Sequence, residues 1–166
     1  MHSTESVYER LGFYVSRIAS VEDCIGVLDT TLSTGTAFSV DDTLSDMNST
    51  VLYWLSDNTR LAVTDLGAGD FPFSIDVMLS QQAIDQLEAK SLVVDLHIEL
   101  ASHLAMRLAQ PVVTDLPNMH PDLRDPYCWL QVMPSGQMIQ RREVIFHCSE
   151  KGKGGLVFDA SKDVLL

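Results

Sequence analysis

Apolar positions change period several times along the chain, and each change predicts a boundary. Leu11, Phe13, Val15 and Ile18 fall near period two within LGFYVSRIA (11–19), which predicts a strand. Ser20 then precedes VEDCIGVLDTTL, with acids two and three positions on. Val21, Cys24, Ile25 and Leu28 recur at helical spacing, so a short N-capped helix is expected, ending near Ser33-Thr34-Gly35. Residues 35–50, GTAFSVDDTLSDMNST, are polar and turn-rich and predict at most a short strand at 36–40. TVLYWLSD and TRLAVTDLG, meeting at Asp57-Asn58, predict a tight hairpin. In FPFSIDVML (71–79), Phe71, Phe73, Ile75, Val77 and Leu79 alternate with Pro72, Ser74, Asp76 and Met78, the signature of a strand with one buried face.

After Ser80 the period becomes helical. Ile84, Leu87, Leu92, Leu96, Leu100, Leu104 and Leu108 form an apolar stripe with no Gly or Pro before Pro111, which predicts one long helix or two abutting ones. PVVTD is expected to be a short strand, 117–126 a proline-punctuated loop, and YCWLQVM a strand that turns at Pro134-Ser135-Gly136 into QMIQRREVIFHC. GLVFDA (155–160) is a further candidate strand. Together these elements predict one α+β domain over residues 1–166. Its antiparallel sheet would have about five to seven strands, with a long helix and a shorter helix packed on one face.

Composition narrows the class. An apolar content of 46% is enough for a core at this length. No run of about 18 uncharged apolar residues occurs, and MHSTESVYERLGFYV has neither a basic nor an apolar leader region. Cys24, Cys128 and Cys148 are odd in number and widely spaced, which fits a reducing compartment, so a cytoplasmic protein is expected. A net charge of −12 argues against nucleic acid and anionic membranes as partners. The charge is concentrated: Asp29 to Asp76 contains eight aspartates and only Arg60 to oppose them. Such a region either keeps the surface solvated or attracts a basic protein partner.

Candidate chemistry is sparse. His97 and His103 lie about 120° apart on the predicted helix, too far round to hold one ion, and His97 is expected to be packed and donating to a backbone carbonyl. His120, Asp122 and Asp125 share a loop and are the place to seek proton transfer. Cys128, between Tyr127 and Trp129, is expected to be a buried thiol pairing near Glu143. Asp41, Asp42, Asp46 and Asn48 lack calcium-loop spacing, and GAGD (67–70) lacks the residues of a phosphate cradle. No cofactor and no metal are therefore expected.

HLAMRLAQPVVTD, the loop ending in DPYCWL, and QVMPSGQMIQRREV resemble the small immunity proteins that protect bacteria from the toxins of rival cells. That resemblance covers about 60 residues. It implies a non-enzymatic inhibitor that covers the active site of a basic toxin domain. The acidic region would supply the contact through Asp41, Asp42, Asp46, Asp57, Asp65 and Asp70, with Trp54 as an aromatic anchor. Because strand residues alternate, only one of Tyr53 and Trp54 can face outward. A second pattern-level resemblance is to the acidic α+β chaperones of type III secretion. The enzymatic alternative is a small hydrolase with its site around His120.

Overall fold

The structure is a computed structural model and describes residues 9–32, 38–45, 49–56, 59–89, 95–144 and 155–166. The strands are β1 (Glu9–Val15), β2 (Val40–Ser45), β3 (Thr50–Leu55), β4 (Arg60–Asp65), β5 (Phe73–Leu79), β6 (Val112–Thr114), β7 (Cys128–Val132), β8 (Met138–Arg142) and β9 (Val164–Leu165). The helices are α1 (Val21–Leu32), α2 (Gln81–Ala89) and α3 (Leu96–Leu108). The strands form a single sheet in the order β2-β3-β4-β5-β1-β6-β7-β8-β9. Every ladder is antiparallel. The α+β class holds, with nine strands among the described residues in place of five to seven.

β1 occupies the centre. Its odd-numbered side chains Leu11, Phe13 and Val15 are buried against the helices, while Arg10, Gly12 and Tyr14 face the other way. The strand stops at Val15 although the apolar pattern continues to Ile18, which is exposed. The backbone N–H groups of Ser16 and Arg17 leave the ladder and donate to Oε1 of Gln110, whose Nε2 donates back to the carbonyl of Arg17. Ser20 then caps α1, its Oγ accepting from the Asp23 N–H, and Glu22 and Asp23 place negative charge in the first turn, where the helix dipole favours it.

Of the two arrangements expected for the apolar stripe, one long helix or two abutting ones, the described residues form two helices. Ser80 caps α2 through the Ala83 N–H, and α3 starts only after Asp95, whose left-handed backbone (φ 55°) interrupts the run. The Asp95 carboxylate accepts from the Asn118 N–H, so the break is tied to the loop that follows β6. Leu87 of α2 and Leu96, Leu100 and Leu104 of α3 enter one core with Val27, Leu28 and Leu32 of α1, all on the same side of the sheet. His97 is buried there, with Nε2 3.1 Å from the carbonyl of Leu116, as expected of a packed histidine.

A smaller cluster occupies the opposite face. Phe71, expected in the same alternation as Phe73, turns away from the helices and meets Phe158 edge-on at 5.6 Å, with Val113 and Leu156 alongside. Residues 155–160, the further candidate strand, make only isolated bridges, Leu156 to Phe71 and Phe158 to Glu143. The unforeseen β9 follows a single helical turn at Ala160–Lys162. The β7–β8 register is one residue from expectation: Cys128 pairs with Arg142 and Trp129 with Arg141. Met133 and Gln137 still pair through their backbones. The loop is therefore the three residues Pro134-Ser135-Gly136, with Gly136 at φ 92° in the left-handed region such loops require.

Candidate functional site

β2 was expected to be loop. It is instead an edge strand in which all six residues are exposed, Val40 and Leu44 among them. Asp41 is the extra residue where the β2–β3 register slips between Val40 and Asp42, and the ladder then runs from Asp42 opposite Trp54 to Ser45 opposite Val51. Residues opposite one another share a face, which assigns the aromatic pair. Tyr53 packs against the helical core. Trp54 lies on the bare face with Asp42 on one side and Arg60 on the other. The Arg60 guanidinium sits 3.8 Å from the centre of the Trp54 ring, a cation–π contact that restrains the indole.

Two rows therefore cross the face away from the helices. One runs Asp42, Trp54, Arg60, Met78, Arg10, and the next runs Leu44, Leu52, Ala62, Asp76, Gly12. Asp76 is held by Arg10 through two bonds of 3.0 and 2.8 Å, which offsets its charge. Asp41 and Asp42 differ from it. Among the described residues neither has a cationic partner, and the Asp42 carboxylate accepts only from the N–H of Thr43.

The remaining acids predicted for the contact separate from these. Asp65 and Asp70 are both exposed, yet each serves a turn. Asp65 accepts from the Gly67 N–H at 2.9 Å, and Asp70 accepts from the Phe158 N–H at 3.3 Å. Asp65 stands at the far end of β4 from Arg60, about 17 Å away at the usual strand rise. Asp46 and Asp57 lie outside the described residues. The structure thus brings together Asp41, Asp42 and Trp54. It adds Val40 and Leu44, which a strand exposed on both faces hides because it has no alternation to read, and it sets Arg60 over the Trp54 ring.

The 117–126 loop is held down by the side chains that suggested chemistry. Asp125 accepts from the Tyr127 N–H and from Arg142, and these two contacts, in that order, hold its carboxyl below the ordinary range. Asp122 accepts from Gln140 at 3.0 Å, and His120 Nδ1 accepts from the Asp122 N–H at 3.1 Å. Each group is directed at the loop's own backbone or at β8. Cys128 has Arg142 at 3.4 Å from Sγ, but burial, then Asp125, push its thiol up.

Cys24 is buried in the helical core, and desolvation pushes its pKa up to about 12. In the native protein at neutral pH, iodoacetamide should modify Cys24 on the order of a hundredfold more slowly than half-buried Cys128, because the thiolate is the reacting species. Peptide mass mapping of a time course separates the two sites, and equal rates would mean that α1 opens far more readily than its packing implies.

Against known proteins, no family model matches this chain and no curated sequence matches it.

Proposed function

We propose that the chain is a protein-interaction module that binds a basic domain of another protein, in the manner of an immunity protein neutralising a bacterial toxin. One observation carries this reading. Asp23, Asp76, Asp125 and Asp163 are each paired with an arginine, whereas Asp41 and Asp42 stand on an exposed strand with no such partner among the described residues. Two unpaired carboxylates beside exposed Val40 and Leu44 combine long-range attraction with apolar area that an occupant would desolvate. This is the division of labour between steering and anchoring found at tight interfaces. Trp54 under Arg60 gives the adjoining face a rigid apolar floor rather than a free anchor.

The test uses the C-terminal domain encoded by the neighbouring gene as partner. Converting Asp41, Asp42 and Asp46 to asparagine should slow association roughly tenfold at low salt, with the difference shrinking as salt screens the field. Stopped-flow association at two ionic strengths reads both effects. An unchanged on-rate would remove this strand from the interface.

A further inference from the structure

The backbone of β2 has a direction as well as a charge. The N–H of Leu55 donates to Thr59 and the N–H of Asp65 donates to Ser49. The backbone groups of odd-numbered β3 residues therefore point to β4, and those of Leu52 and Trp54 point to β2. Antiparallel ladders alternate in this way residue by residue. Asp42 and Leu44, opposite Trp54 and Leu52, thus turn their N–H and C=O groups inward to β3. Thr43 and Ser45 turn theirs outward to an edge with no strand beyond it among the described residues. Toward that edge the Ser45 N–H and both carbonyls are laid out for one more strand, and the Thr43 N–H, which donates to the Asp42 carboxylate at 2.8 Å, joins them when an incoming cation draws that carboxylate away.

We propose that β2 receives an extended segment of the basic partner as a tenth strand, hydrogen-bonded to the main chain of Thr43 and Ser45. This rests on the reading of the chain as a module for a basic partner and specifies how the partner is held. The segment's chemistry follows from the two rows already described. A side chain placed beside Asp42 extends the row Asp42, Trp54, Arg60 and is Lys or Arg. The side chain two positions along, beside Leu44, extends the row Leu44, Leu52, Ala62 and is aliphatic. On the helix-facing side the strand meets only Thr43 and Ser45, which are short enough to let a neighbour close to ladder distance. The bulge at Asp41 ends regular pairing, so the docked segment is a short one with a basic and an aliphatic residue two positions apart on one face and a short polar residue between them. A second copy of this chain is disfavoured as occupant, because each copy carries −12 and β2 against β2 brings acids toward acids. Acidic side chains on an edge turn away strands of like charge, and the same charges admit a basic strand.

The decisive experiment follows backbone amides in the full-length 15N-labelled protein. Three probes are added: an acetylated, amidated Lys-Thr-Val-Thr-Lys-Thr peptide, the same peptide N-methylated at alternate backbone positions, and a counterpart with Glu in place of Lys. The first should slow hydrogen exchange at Thr43 and Ser45 about tenfold at nine-tenths saturation, because exchange then proceeds through the free tenth. The N-methylated and Glu-containing peptides should not. Thr43→Pro, which removes an outward N–H from an edge strand, should abolish the effect; unaltered circular dichroism would show that the variant is folded. The N-methylated peptide makes the same test on unmodified protein. If the plain and N-methylated peptides bind alike and leave both amides unprotected, the partner docks by charge alone; strand addition is then overturned and the broader reading stands. If no peptide binds at millimolar concentration, strand addition is likewise overturned, while the association rates of the aspartate variant decide the broader reading separately. Protection of Thr43 and Ser45 that grows with protein concentration without peptide would give the edge to a second copy and overturn the proposal.

Discussion

Phe13→Ala is expected to destabilise the protein by about 3–5 kcal/mol, the usual cost of emptying a large aromatic site in a closed core. Phe13 has no exposed surface and lies opposite Ile75 in the ladder between β1 and β5. Strands flank β1 on both sides, so the sheet cannot slide in to fill the void, and the helices above are fixed by their own leucines. Against a typical total of about 5–15 kcal/mol, the variant loses about a fifth or more of its stability. Its urea midpoint should fall by at least about 1 M. A shift of only a few tenths molar would mean that the site collapses freely and that the packing is looser than the burial of Phe13 requires.

Gln110→Met should cost about 2–4 kcal/mol for a different reason. Gln110 is buried at 4% exposure. Its carbonyl oxygen accepts from the N–H groups of Ser16 and Arg17, and its amide nitrogen donates to the carbonyl of Arg17. Methionine keeps the length and volume but leaves three backbone groups without partners, a cost of about 1–3 kcal/mol each when fully buried, which water reduces here because Arg17 is exposed. Hydrogen exchange should accelerate most at Ser16 and Arg17, ahead of the rest of β1. Loss confined to global stability, with no local acceleration, would show that Gln110 acts by packing instead.

What the sequence revealed divides along a physical line. Wherever one face of an element is buried, period carries the information: the alternation of β1 and β5, the N-capped α1 and the β3–β4 hairpin were all legible. Where both faces are wet the code is silent, and Val40–Ser45 read as loop for that reason. The leucine spacing stays in phase across two helices feeding one core, so it left one long helix and two abutting ones both open and gave no sign of the left-handed backbone at Asp95. The β7–β8 register turned on whether Pro134 belongs to the loop, which depends on backbone angles and not on polarity. The candidate site shows the same limit. Asp41, Asp65, Asp70 and Asp76 are alike in sequence, and only the ladder shows that Asp76 meets Arg10 while Asp70 receives Phe158. That Arg60 covers Trp54 follows from the pairing of residues 54 and 60, which the hairpin implied but did not fix without its register.

The central place of β1 has a consequence for how the chain is made. During synthesis from the N-terminus, β1 emerges with both of its neighbours still untranslated. The meander β2 to β5 pairs only between strands adjacent in sequence and can close by itself. β1 must wait for Phe73–Leu79 to gain one ladder and for Val112 and Val113 to gain the other. Contacts of such long sequence separation are slow to form. Until they do, Leu11, Phe13 and Val15 remain an apolar stripe on a nascent chain with nothing of its own to cover them.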